Sequence, residues 1–308
     1  MICKYSVSFR IIILTLTSKI KVVLKFAQRA GIKISLTRML KFRNMFNKKC
    51  SVIAMVHVEA LPGSPLFAGS VEKIVSRACK ETETYLNNDV DSILVENMHD
   101  VPYIQSKHFG PEVTATMCRV CTELRKVIPH SKPFGVQVLA GGNIEALSIA
   151  KACSMNFIRA EGFVFGHVAD EGYTDAIAGL ILRYRKQIQA DDVLVFTDIK
   201  KKHSSHAITS DISVTETAKA AEFFLSDGII LTGTTTGDPA NASELEELRK
   251  GVNLPILIGS GVTHANLENY ISADAVIVGS YFKKNGKWNK ELDESRINNF
   301  MKKVKSIR

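Results

Sequence analysis

From Ser51 onward, short runs of apolar residues alternate with longer stretches in which apolar positions recur every three or four residues. The first pattern reads as strands and the second as amphipathic helices, and their regular alternation predicts βα units feeding a parallel sheet. Strands are expected at Val52–His57, Ser92–Glu96, Phe134–Leu139, Phe157–Ala160, Val193–Thr197, Gly228–Leu231, Pro255–Ile258 and Ala275–Val278. Helices are expected over 71–86, 111–127, 144–152, 174–188, 215–225, 242–250, 264–271 and 293–305, with Pro111 suited to a first helical turn. Two of the strands, Val193-Leu194-Val195-Phe196 and Ala275-Val276-Ile277-Val278, are apolar throughout, as when both faces are covered. Open doubly wound sheets share this alternation but more often stop at five or six strands. Eight units without a linker predict an α/β fold, a single (β/α)8 TIM barrel over residues 50–308, close to the roughly 250 residues such a barrel needs.

Charge changes the picture only at the N-terminus. Twelve of the 40 Lys and Arg residues lie in residues 1–49 and none of the 31 acids does, the first being Glu59. The remaining 28 basic and 31 acidic side chains leave a folded part near −3, so the net +9 is not read as a nucleic-acid-binding surface. A Ser/Thr-rich, basic, acid-free leader suits a mitochondrial transit peptide, and its longest apolar run is too short to span a bilayer. Translation from Met39 or Met45 would instead give a cytoplasmic protein. The six cysteines follow no disulfide or zinc spacing, and Cys118-x-x-Cys121 reads as ordinary helix packing.

In such barrels the reactive groups lie where a strand ends and its loop begins. Those positions hold His57, then Glu96 and Asn97, then Gln137, Arg159 with Glu161, and Asp198 with Lys200, Lys202 and His203. They end with Thr232-Gly233, Gly259-Ser260-Gly261 and Gly279-Ser280. The last two segments, about twenty residues apart, resemble the phosphate cup of ribulose-phosphate-binding barrels: glycine lets the backbone approach an oxyanion, and free N–H groups favour negative charge. If the fifth strand continues past Asp198, Lys200 and Lys202 share its side. A lysine crowded by cations has a lowered pKa and suits proton transfer or imine formation. Lys201 reads as a solvated loop charge, and His99, His108 and His167 as surface residues. His57, Glu96 and Glu161 could hold a divalent cation, although no spacing demands one.

Several segments taken together resemble the BtpA (BtpA/SgcQ-like) family. They are Met55-Val56-His57 with Leu61-Pro62-Gly63-Ser64-Pro65, Val95-Glu96-Asn97 with Asp100-Val101-Pro102, and Gln137-Val138-Leu139-Ala140. Arg159-Ala160-Glu161, Asp198 with Lys202-His203, Gly259-Ser260-Gly261-Val262-Thr263 and Val278-Gly279-Ser280 continue the match. The resemblance covers about residues 51–297 and implies a ribulose-phosphate-binding barrel. Lys200-Lys201 departs from the less charged segment usual before Lys-His. Two functions are expected from these residues. One is an enzyme, a lyase, isomerase or aldolase-like catalyst on a phosphorylated sugar or related metabolite. In it Asp198, Lys202, His203, Glu161 and His57 do the chemistry. Glu96, Asn97, Gln137, Arg159, Thr232, Gly233, Gly259, Ser260, Gly261, Gly279 and Ser280 bind substrate and phosphate. The other, which the family's name implies, is a non-catalytic biogenesis or stability factor for a membrane complex. Barrels of this group commonly pair, so a homo-oligomer is expected.

Overall fold

The computed structural model describes residues 37–308; residues 1–36 of the expected leader lie outside them. Eight parallel strands close into one barrel: β1 (Ser51–His57), β2 (Ser92–Glu96), β3 (Phe134–Gln137), β4 (Phe157–Ala160), β5 (Leu194–Ile199), β6 (Gly228–Leu231), β7 (Ile256–Ile258) and β8 (Ala275–Val278). Each pairs with its sequence neighbours, and β8 returns to β1 with Ser51 opposite Ala275. The protein is a single (β/α)8 TIM barrel.

The helices between strands are α1 (Val71–Asn87), α2 (Pro111–Val127), α3 (Asn143–Ala152), α4 (Ala178–Gln187), α5 (Val214–Phe223) and α6 (Ala242–Gly251), and α7 (Glu294–Ile307) closes the chain. Local chemistry sets their starts. Ser70 caps α1, and Ser213 forms a reciprocal capping box with Glu216 on α5. The expected helix after β7 is only a 3₁₀ turn, Leu267–Tyr270. The expected fourth helix begins four residues late, because Gly172–Thr174 instead pairs with His167–Ala169, which also pairs with Ser204–Ser205. This three-stranded flap lies over the ends of β4 and β5.

Period-two alternation sorts the strand side chains. Val52, Ala54, Ile93, Val95, Ile158 and Val195 face the helices in the larger core cluster. Ile53, Met55, Leu94, Phe157, Phe196 and Ile230 fill the barrel itself. Gly135 admits the Phe157 ring, since a Cβ there would lie 2.3 Å from it.

A further helix over residues 37–45 precedes β1. Phe42 and Phe46 are buried by its packing against the rings of Phe157 and Phe196, with Phe42 and Phe196 at 5.7 Å and Phe46 and Phe157 at 5.8 Å. They join the interior cluster and close the end of the barrel where the strands begin. Residues 37–49, expected as leader, therefore contribute Phe42 and Phe46 to the core of the barrel. No helix of the described residues is long and apolar enough to cross a membrane.

Candidate active site at the strand ends

Continuing each inward series by two residues brings one side chain or glycine from every strand to the C-terminal mouth. These are His57, Glu96, Gln137, Arg159, Asp198, Thr232, Gly259 and Gly279. All were singled out in the sequence. Their side chains are almost fully buried, which is costly for ionisable groups unless they are paired or change protonation state.

Arg159 and Asp198 are paired. The guanidinium donates from Nη2 to Oδ1 at 2.9 Å and from Nε to Oδ2 at 3.1 Å. Burial works against the charge on Arg159, but Asp198, Glu96 and Glu161 outweigh it and raise its pKa. With both carboxylate oxygens held, Asp198 positions Arg159. It does not line either of the cavities at the mouth.

Those cavities adjoin, sharing Glu96, Met98, Lys202 and Thr236 in their walls. The first, about 130 Å³, runs between the ends of β7 and β8. The register that pairs Ile258 with Val276 sets Gly261 and Gly279 at matching heights, and both line it. Gly261 has φ +67°, and a Cβ there would meet the Asp238 carbonyl at 2.2 Å; at Gly279 it would press on the His57 ring at 3.1 Å. Among the described residues, the N–H groups of Gly261, Val262 and Ser280 have no hydrogen-bond partner. Ser260 differs: its hydroxyl donates to Asp238 O and accepts from Gly233 N–H, joining two loops. Gly233 thereby serves the loop, whereas the buried Thr232 hydroxyl is unpartnered.

Arg296 also lines this cavity and was missed in the sequence. Its Nε donates to Tyr281 O at 2.7 Å, its guanidinium lies 4.3 Å over the Tyr281 ring, and it has no carboxylate partner among the described residues. A cation in the first turn of α7, against the helix dipole, was the available signal.

The second cavity, about 220 Å³, reaches from Lys202 toward β3 and the flap. Here the sequence expectation fails in one respect. The fifth strand ends at Ile199 and Lys200 takes φ +48°, so the period-two series breaks. Lys200 turns away to donate to Thr209 O at 2.8 Å. Lys201, expected in solvent, is half-buried between Glu161 at 3.7 Å and Glu171 at 3.3 Å. Burial opposes its charge, but these two carboxylates prevail and raise its pKa.

Lys202 lines both cavities, and its amine makes no hydrogen bond or ion pair among the described residues. Burial, then the Arg159 charge, lower its pKa against the opposing pull of Glu96 and Asp198. Burial raises Glu96 despite Arg159 and Lys202. Burial likewise raises Glu161 despite Lys201, and its Oε2 accepts from Gly141 N–H at 3.0 Å.

His57 is held well below its usual pKa by burial and then by Lys283. Its Nδ1 is 3.4 Å from Trp288 O, which can only accept, so the neutral tautomer turns its Nε2 lone pair toward Glu96, 3.9 Å away.

Other expected site residues bond to neighbouring backbone, and His203 also lines the second cavity. Asn97 brackets the Leu139 backbone, accepting from its N–H at 2.7 Å and donating to its carbonyl at 3.0 Å. His203 is exposed, and its Nε2 accepts from Thr236 N–H at 3.1 Å, joining the loops after β5 and β6. His167, expected at the surface, is buried beside His206, and His99 lies against Trp288. No group of three or more His, Cys, Asp or Glu among the described residues converges as a metal site; His57 and Glu96 meet without a third such ligand.

A model of the BtpA family matches residues 48–306. An uncharacterised mitochondrial protein of Caenorhabditis elegans is 45% identical over 260 residues, 83% of this chain and 94% of its own. A photosystem I biogenesis protein, BtpA, of Synechocystis is 32% identical over 254 residues, 81% and 86% of the two chains. Among solved structures, phosphoribosyl anthranilate isomerase from Thermus thermophilus is similar at TM-score 0.52 and 10% identity, over 84% of this chain and all of its own. KGPDC from Streptococcus mutans gives 0.52 and 10%, over 84% and 99%. At such identities the structural likeness speaks for the fold.

Proposed function

Since the chain belongs to the BtpA family, we propose that it is an enzyme that holds a phosphorylated small molecule at the barrel mouth and moves a proton on it, as an isomerase or lyase does. The observation that carries this reading is the unpaired Lys202 amine, standing where the two cavities meet, with its pKa lowered while those of Glu96 and Glu161 are raised. Shifts that bring an amine down and a carboxyl up, toward neutrality, suit the two to opposite halves of a proton transfer. The free N–H groups of Gly261, Val262 and Ser280, with the unpaired charge of Arg296, suit a phosphate. The name of the Thermus neighbour, an isomerase of a phosphoribosyl compound, agrees with such a ligand.

In this mechanism Lys202, as a neutral amine, accepts a proton from a carbon beside a carbonyl. Glu96, whose protonated form burial favours, gives one to the carbonyl oxygen; the C–H bonding pair becomes the new C=C bond as the carbonyl π pair moves to that oxygen. Arg159, fixed by Asp198, stabilises the developing negative charge. The test is a metabolite screen by coupled turnover, followed by Lys202→Ala. The variant is expected to lose about 10²–10⁴-fold in kcat while still binding inorganic phosphate. Wild-type kcat in Lys202→Ala would overturn the assignment.

The name of the Synechocystis relative favours a second reading, a non-catalytic biogenesis factor. Rescue of a deletion strain's assembly defect by a Lys202→Ala, Glu96→Gln variant would support it, and failure of that rescue would count against it. The mitochondrial relative and the basic leader support a mitochondrial location under our reading. A fusion of residues 1–36 to a fluorescent protein should then co-localise with a mitochondrial dye; a diffuse signal would refute this.

A further inference from the structure

Ligand cavities for small organic molecules run from about 300 Å³ upward. Neither lobe reaches that size alone, at about 130 and 220 Å³, and the two are joined at Lys202 and Glu96. One ligand spanning both is the simplest occupant, and the walls of the lobes differ. The first offers backbone N–H groups and Arg296. The second has an apolar wall of Met98, Val101, Leu139, Ala140 and Trp288, with the Trp288 ring 5.0 Å from His99, and a polar wall that includes Glu161, Glu171 and Lys201.

The charged groups Lys201, Glu161 and Glu171 of that polar wall are bonded to one another, whereas one buried amide in the lobe is not bonded. Gln137, only 2% exposed, makes no side-chain hydrogen bond, and its Oε1 is fully buried without a partner. A buried amide left unsatisfied is costly, and Gln137 lines the cavity. Its Oε1 is sealed from the cavity, so the Nε2 edge of the amide is what a ligand meets. A flat heterocycle offers that donor an acceptor in its own plane, one half of the pairing by which glutamine reads a nucleobase edge. A bare sugar phosphate would leave both the apolar walls and this amide unused.

We propose that the second lobe receives a planar, hydrogen-bonding ring, so that the ligand has the class of a nucleoside 5′-monophosphate: phosphate at the β7–β8 loops, pentose beside Lys202 and Glu96, ring against Trp288 and Gln137. This rests on the anion site proposed above. The test is calorimetric titration of the full chain with inorganic phosphate, ribose 5-phosphate and the four common nucleoside 5′-monophosphates. At least one nucleotide is expected to bind about tenfold more tightly than ribose 5-phosphate. Gln137→Met, and separately Trp288→Leu, should cut that ratio at least about threefold. If ribose 5-phosphate binds and no nucleotide exceeds it, the ring site is refuted and the anion site stands. If neither phosphate, ribose 5-phosphate nor any nucleotide binds, the anion site falls and the ring site with it. A nucleotide preference that survives both substitutions also overturns the assignment of the ring to this lobe.

Discussion

Asp198 was expected among the residues that move protons, and its pairing with Arg159 gives it another role that can be measured. Its side chain is 1% exposed, that of Arg159 4%, and the pair is bidentate. Asp198→Asn keeps the shape but removes the charge, leaving a buried guanidinium with only the more distant Glu96 and Glu161 to offset it. Breaking one side of a buried ion pair typically costs about 3–5 kcal/mol, whereas replacing both sides with apolar groups of similar volume is often neutral. Asp198→Asn and Arg159→Met should therefore each cost about 3–5 kcal/mol. The double variant Arg159→Met, Asp198→Leu should cost much less than the two together, a coupling of several kcal/mol. Urea unfolding followed by the fluorescence of Trp288, the only tryptophan, measures all three. A cost below about 1 kcal/mol for Asp198→Asn, or single costs that add to within roughly 0.5 kcal/mol, would refute the positioning role. If turnover vanished in a fully stable Asp198→Asn variant, a direct part in the chemistry would have to be restored.

Three further outcomes are expected. Gly261→Ala, at φ +67° and facing the Asp238 carbonyl at 2.2 Å, should displace the loop and abolish phosphate binding; Gly141→Ala, at the same φ but in open space, should cost only about 1–2 kcal/mol, and titration with urea melts separates them. Phe46→Ala should cost about 3–5 kcal/mol for an aromatic ring lost from the core, and a chain begun at Met45, which lacks Phe42, should be less stable than one begun at Met39; equal urea midpoints would refute the plug. Burial holds His57 well below 6.5 and both His99 and His167 at about 4, so the unfolded chain binds more protons below pH 6.5 and stability should fall as pH drops from 6.5 toward 4. His167→Phe should flatten that slope, and an unchanged slope would exclude His167 as a contributor.

Much of the fold and part of the site were legible in the order of residues. Apolar runs of strand length, spaced by helical periods, specify eight βα units because a strand covered on both faces must be apolar throughout. The period of two then assigns His57, Glu96, Gln137, Arg159, Asp198, Thr232, Gly259 and Gly279 to the mouth from residue order alone. Register beyond a strand end is not written that way. At Lys200 one left-handed residue exchanged the roles of neighbouring lysines, sending Lys200 to Thr209 and drawing Lys201 between Glu161 and Glu171. Arg296 reaches the cavity between β7 and β8 from α7, a helix whose end bonds to Cys50 just before β1. The basic leader concealed two phenylalanines of the barrel core, because local charge does not reveal what a helix packs against. Only tertiary structure decided which polar side chains are spent on neighbours, as Asn97, Ser260 and Asp198 are, and which remain open, as Lys202 and Gln137 do. A hydrogen bond or ion pair between residues distant in sequence exists only once the chain has brought them within about 3 Å, and no spacing along the chain encodes that distance.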